Sequence, residues 1–251
     1  GPPGTGKTIL AAATSNALRK GGEVETPAMF FNVKVSGVMS KFFGESSKIV
    51  SEIYGAARDN SPSVIFLDEF ESLSGKRDND DQSGAERRIL STILSELDGL
   101  SEKGRSDIFV LTIAATNRPW DIDEAVLSRF EKRILIPLPD PDTRKAILEI
   151  LFMKRGFETT ANLSDIVELC EGYSGREIER LCKEVTTRMI RDQNKDLPAV
   201  VDSGLHQARN FEVRVRPLSI DDWKAAAAGI APGTSPEEMR RYLQWNDAVD
   251  A

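Results

Sequence analysis

Val64-Ile65-Phe66-Leu67-Asp68-Glu69 is an unbroken apolar run that ends in two carboxylates, with Pro62 just ahead of it. Four apolar residues in a row leave no polar face. The segment therefore reads as a strand buried on both sides, as in a parallel sheet covered by helices. Asp68 and Glu69 fall at its carboxyl end, where open α/β sheets bind ligands. Further short strands are expected at Met29-Phe30-Phe31-Asn32-Val33, at residues 108–115 and at Arg133-Ile134-Leu135-Ile136. Between them lie segments with helical stripes, residues 8–19, 46–59 and 85–97; Ile49, Val50, Ile53, Tyr54 and Ala57 make one such stripe. Strand and helix in alternation give an α/β fold, a doubly wound parallel sheet.

After Asp140 the strands stop. Residues 143–154, 163–170, 175–191 and 219–228 read as helices, and Ser235-Pro236 opens a last one, with Ser235 as N-cap. The expected organisation is an α/β domain over residues 1–140 and a small helical domain with a C-terminal helix over residues 141–251. Residues 193–217 have weak periodicity and read either as an ordered insertion or as a mobile loop.

The chain opens Gly1-Pro2-Pro3-Gly4-Thr5-Gly6-Lys7-Thr8, which fits the P-loop pattern G-x-x-x-x-G-K-[ST]. Its glycines let the backbone curl so that successive N–H groups converge on phosphate oxygens. Lys7 can reach the β- and γ-phosphates, and the Thr8 hydroxyl suits Mg²⁺. Asp68 suits the same ion. Glu69 suits a general base for the attacking water, and Asn117, at the end of the neighbouring strand, could hold that water. The P-loop, the carboxylate pair and Asn117 all fall at strand ends, so one site is expected. A P-loop needs a strand before it and nothing precedes Gly1. The sequence is read as a fragment of a longer chain, with an upstream strand and a further domain.

Composition limits the alternatives. Of 251 residues, 40% are apolar and 29% charged, enough for a core and against general disorder. The net charge of −7 gives no support to a broad nucleic-acid surface. No apolar run is long enough to span a membrane. Cys170, Cys182 and a single His make no zinc pattern, so both thiols read as small buried side chains in a reducing, cytoplasmic setting.

These motifs resemble those of AAA-type ATPases. The resemblance extends through Ile65-Phe66-Leu67-Asp68-Glu69-Phe70, Ala115-Thr116-Asn117-Arg118-Pro119, the stretch from Trp120 to Arg133, Ile136-Pro137-Leu138-Pro139-Asp140 and Gly172-Tyr173-Ser174-Gly175. Within that family the chain is most similar to the meiotic clade: katanin, spastin, fidgetin, the vacuolar-sorting ATPase that dismantles ESCRT-III filaments, and archaeal cell-division relatives. Pro119-Trp120-Asp121-Ile122-Asp123, Phe130-Glu131-Lys132-Arg133-Ile134 and Arg240-Arg241-Tyr242-Leu243-Gln244-Trp245 carry the narrower likeness.

The resemblance implies ATP and Mg²⁺, with nucleotide contacts from Gly1, Pro2, Pro3, Gly4, Thr5, Gly6, Lys7, Thr8, Ile9, Asp68 and Gly175. It implies a homo-oligomeric ring, a hexamer, in which Arg129 acts as arginine finger toward the neighbouring protomer. A second arginine often precedes the finger in the clade; here Ser128 stands there. The further basic position is Lys132, which lacks arginine's two-pronged contact. Lys41, Phe42 and Phe43 match the family's pore loop, with Phe42 at the gripping aromatic position. Lys76-Arg77-Asp78-Asn79-Asp80-Asp81 matches its second pore loop. The expected activity is ATP-driven pulling of polypeptide through a pore, with an ESCRT-III-like filament as substrate and tubulin as the alternative. Peripheral membrane association through an upstream domain is compatible with this, and no direct nucleic-acid partner is expected. The rival readings are a nucleotide-binding scaffold without turnover and a DNA-directed motor or clamp loader.

Overall fold

The computed structural model describes residues 1–20, 28–41, 45–74, 80–102, 108–156, 158–202, 204, 206 and 209–250. The chain divides into two compact units. The first comprises Gly1, Gly6–Ile136 and Tyr242–Ala251; the second comprises Pro2–Thr5 and Pro137–Arg241.

In the first unit, helix α1 (Lys7–Lys20) precedes strand β1 (Met29–Lys34), α2 (Val35–Lys41), α3 (Ser46–Asp59), β2 (Ser63–Asp68), α4 (Asp80–Glu102), β3 (Val110–Ala114) and the short α5 (Glu124–Leu127). The described strands form one parallel sheet in the order β1-β2-β3. Side chains alternate between its faces. Phe66 packs with Ala11 of α1, while Ile65 and Leu67 pack with Val50, Tyr54, Ile89 and Ile93 of α3 and α4. Helices thus cover both faces, which is why Val64 to Leu67 are apolar without a break.

Residues 133–136 are not a strand. A strand exists only as one rail of a hydrogen-bonded ladder. No described strand runs beside this segment, and Ile134 is exposed.

The second unit contains α6 (Pro141–Arg155), α7 (Leu163–Leu169), α8 (Gly175–Gln193), α9 (Leu197–Asp202), α10 (Ile220–Ala227) and the start of α11 (Pro236–Asp250). Its starts are capped as the sequence demands. Asp140 accepts from the Thr143 amide at 2.8 Å, and Ser174–Glu177 and Ser219–Asp222 form capping boxes. The core gathers Leu148, Ile166, Ile178, Leu181, Val185, Leu218 and Trp223 with the buried side chains of Cys170 and Cys182. Burial pushes the Cys170 thiol up to about 11.

Part of the weakly periodic region 193–217 is ordered. Asn194 is buried; its Nδ2 donates to the carbonyl oxygens of Ile190 at 2.7 Å and Arg214 at 2.9 Å, and its Oδ1 accepts from the Arg214 amide at 2.9 Å. One side chain closes that loop from both ends.

The C-terminal helix departs from the expected boundary. Residues from Tyr242 onward belong to the first unit, not to the helical one. Tyr242 is fully buried, and its ring lies 4.9 Å from that of Trp120.

Candidate functional site

The site is built at the carboxyl end of β2 and the start of α1. Lys7 Nζ donates to Gly1 O and to Asn117 Oδ1, each at 2.8 Å. Thr8 Oγ1 lies 3.4 Å from Asp68 Oδ2. The sequence placed these four side chains in one site from the P-loop pattern and from strand-end positions, and in the structure they meet as two pairs.

Asn117 is held on every polar group. Its backbone N–H and its Nδ2 both donate to Glu71 Oε1, at 3.3 and 3.2 Å. Its carbonyl oxygen accepts from the Tyr242 hydroxyl. An amide with an ammonium at Oδ1 and a carboxylate at Nδ2 has only one sensible orientation. Glu71 Oε2 is buried without a hydrogen-bond partner among the described residues, so this carboxylate directs its one bonded oxygen entirely at Asn117.

Glu69 follows Asp68 with φ of 54°, in the left-handed region. A side chain there costs about 1–2 kcal/mol, a strain that persists when its surroundings over-determine it. The surroundings here are the Asp68 carboxylate, which accepts from the Glu69 amide at 3.0 Å, and the end of β1. From that end, Ser36 Oγ donates to Glu69 Oε2 at 2.6 Å and Lys34 Nζ pairs with Oε1 at 2.9 Å. These two donors, Ser36 first, hold the Glu69 carboxyl below its ordinary range. The pairing in turn raises Lys34 above its own.

Arg129 makes its contacts elsewhere. Its Nε donates to Asp98 Oδ1 at 3.4 Å and its Nη1 to Ala125 O at 2.8 Å. The adjoining Phe130 packs edge-on against Phe70, with centroids 5.9 Å apart, and so anchors the segment that carries the guanidinium. Ser128 caps the end of α5 and its hydroxyl donates to Ala125 O at 2.9 Å. Ile9, assigned to nucleotide contact, is 76% exposed on the first turn of α1.

In the second unit, Gly4 has φ of 77°, and a Cβ there would lie 2.8 Å from Ser174 Oγ and 2.9 Å from Arg176 Cβ. Arg176 N–H donates to Gly4 O at 3.3 Å, and a Cβ on Gly175 would stand 3.4 Å from that same oxygen. Gly4 is fixed by this close approach and by its positive φ, whereas the Gly175 contact is an ordinary one. Pro2 O accepts from the Thr5 hydroxyl at 2.9 Å, which tightens the turn. Phe42 and Phe43 lie outside the described residues, as does Lys76-Arg77-Asp78-Asn79 of the second pore-loop match. Lys41 is the last residue of α2.

Sequence reasoning missed Glu71, Lys34, Ser36 and Tyr242. Glu71 had a faint signal, an acidic residue two positions beyond Glu69. The others had none, because each meets the site through tertiary contact.

A glycine-rich loop, its lysine, a strand-end carboxylate pair and an amide just past the end of the adjacent strand of a parallel sheet define a P-loop nucleotide-binding protein. Residues 1–138 match the family described as ATPase family associated with various cellular activities (AAA), and residues 160–200 match the AAA+ lid domain. The chain belongs to the AAA ATPase family.

Among curated relatives, meiotic spindle formation protein mei-1 of Caenorhabditis elegans is 36% identical over 100% of this chain and 51% of its own length. A katanin p60 protein of Homo sapiens, the ATPase-containing A-like 1 form, is 36% identical over 98% of this chain and 48% of its own. The chain thus spans about half the length of the curated relatives it matches. Among solved structures, the FIGL-1 AAA domain in complex with ADP superposes with a TM-score of 0.79 at 33% identity, over 99% of this chain and 76% of that one. A structure described as the structural basis for katanin self-assembly gives 0.73 at 32% identity, over 98% and 76%. These likenesses fit the meiotic clade.

Proposed function

We propose that this chain is the ATP-hydrolysing motor of a ring-forming protein remodeller. The observation that carries the reading is the pairing of Lys7 with Asn117 and of Thr8 with Asp68. It puts a cation, a neutral amide, a hydroxyl and a carboxylate at the mouth of one sheet.

Each group then has a part. Lys7 opposes the negative charge of the β- and γ-phosphates, already aimed by Gly1 O and Asn117 Oδ1. Thr8 Oγ1 and Asp68 Oδ2 are hard oxygen donors on one side of a site, which fits Mg²⁺ better than an all-protein cage would, since that ion keeps several waters. Bound there, Mg²⁺ would neutralise charge on the phosphates. Glu69, kept ionised by Ser36 and Lys34, accepts a hydrogen bond from the attacking water, and the locked Asn117 amide fixes that water's position. Arg129 serves the site of a neighbouring protomer, and Lys41, Phe42 and Phe43 grip the substrate chain in the pore.

The substrate is a polypeptide drawn from a polymer. The relatives named for katanin and for the meiotic spindle support tubulin over the ESCRT-III-like filament expected from sequence.

In the whole protein, Glu69→Gln removes the base and leaves the phosphate and Mg²⁺ contacts. ATP should bind at near wild-type affinity while turnover falls by about 10²-fold or more. Wild-type turnover in Glu69→Gln would sink the assignment of the base.

A further inference from the structure

We infer that Tyr242, on the C-terminal helix, is a positioning residue for ATP hydrolysis and acts by holding the Asn117 backbone; this rests on the function proposed above. Asn117 lies past the end of β3, where the ladder no longer dictates the backbone. Its N–H is held by Glu71 and its carbonyl oxygen by the Tyr242 hydroxyl, one on each side of the residue. Its side chain has the same division of labour, with Glu71 at Nδ2 and Lys7 at Oδ1. Removing the Tyr242 hydroxyl frees one anchor of the peptide that carries the amide. The amide then drifts relative to Lys7.

The phenol is suited to this. Tyr242 is fully buried and its ring rests on Trp120, only three residues beyond Asn117 in the chain. The ring contact fixes where the hydroxyl points, and the turn Pro119–Asp121 carries Trp120 on the same short segment as Asn117. A buried phenol needs an acceptor. Here the acceptor is the residue that touches Lys7, rather than one of the many carbonyls of the helix ends.

A purely structural tyrosine would be replaceable by phenylalanine at little cost to turnover. A positioning tyrosine would not. The experiment compares the whole wild-type protein with Tyr242→Phe, Asn117→Ala and the double variant in steady-state ATP hydrolysis and thermal melting. The expected result for Tyr242→Phe is a kcat lower by about tenfold, with KM for ATP within about twofold of wild type and melting unchanged. On the Asn117→Ala background the same substitution should cost nothing further, because the group it positions is gone.

Three results would overturn the inference: an unchanged kcat in Tyr242→Phe, an equal further loss on the Asn117→Ala background, or a loss that tracks a lowered melting temperature. A wild-type protein that binds ATP without hydrolysing it would overturn the proposed function and this inference with it. Normal turnover in wild type and Tyr242→Phe alike would overturn this inference alone.

Discussion

Ser36, two residues past the end of β1, donates a 2.6 Å hydrogen bond to Glu69 Oε2 at the end of β2. Parallel pairing of the strands, with Lys34 opposite Asp68, brings the two together. The bond has two opposed chemical effects. It favours the ionised carboxylate, which is the form that accepts from water, and it lowers that carboxylate's basicity.

That balance predicts a pH dependence. Glu69 has a lowered pKa in the folded protein, so the acid limb of kcat should lie below the ordinary glutamate range. Ser36→Ala removes the larger cause and leaves Lys34. The carboxyl pKa should rise, and the acid limb should move to higher pH. A kcat–pH profile from about pH 4 to 8 measures this; superimposable limbs in wild type and Ser36→Ala would rule the linkage out.

Arg129 is presented near the surface by Asp98 and the Ala125 carbonyl, beside an anchored Phe130. If it serves a neighbouring protomer, Arg129→Ala should lose hydrolysis by about 10³-fold or more and keep ATP binding. Mixing Arg129→Ala with Glu69→Gln protomers should restore part of the activity. Some interfaces would then join an intact Glu69 to an intact Arg129. No recovery in rings shown by mass to be mixed would count against action in trans.

The pore assignment of Phe42 separates a remodeller from a plain ATPase. Phe42→Ala should leave basal hydrolysis within about threefold and abolish disassembly of the polymer substrate. A core phenylalanine would behave differently, losing about 3–5 kcal/mol and both activities together. Melting temperature and disassembly on the same variant decide it, and normal values of both would remove Phe42 from the mechanism.

Arg216 clamps Asp222 with two parallel hydrogen bonds, 2.6 and 2.8 Å, and the Ser219 amide and hydroxyl donate to the same carboxylate at 2.8 and 2.9 Å. The guanidinium, first among these, holds the Asp222 carboxyl well below the usual range. A depressed folded pKa gives stability that is complete above the unfolded value of about 3.9 and is lost as pH falls through the folded one. Asp222→Asn should therefore lower the melting temperature at neutral pH by about 3 °C and flatten its fall between about pH 4 and 2. Identical acid profiles in the two proteins would refute the clamp's role.

Much of the site was legible in order along the chain. The P-loop pattern requires Lys7 and Thr8 at fixed positions, and Asp68, Glu69 and Asn117 each follow an apolar strand. Strand ends are where a parallel sheet gathers ligands, so proximity could be inferred without coordinates. The helices were legible for a similar reason: apolar periodicity is local, and so is a cap such as Ser235, whose hydroxyl accepts from the Glu238 amide. The segment 133–136 shows the limit of such reasoning, since apolar composition does not supply the neighbouring strand that a ladder needs.

By itself, then, the sequence determined the parallel α/β sheet, its helical successor and the residues that pair at the mouth of that sheet, Lys7 with Asn117 and Thr8 with Asp68, because each follows from local pattern. Tertiary structure alone decided what those residues lean on. Ser36 and Lys34 reach Glu69 because two strands pair in register, and Glu71 reaches Asn117 from the turn after β2. Tyr242 reaches Asn117 across 125 positions of chain, by burying a ring against Trp120. No periodicity encodes such a contact: burial asks only that Tyr242 be apolar enough to hide, and which carbonyl its hydroxyl then meets is settled by how the chain packs.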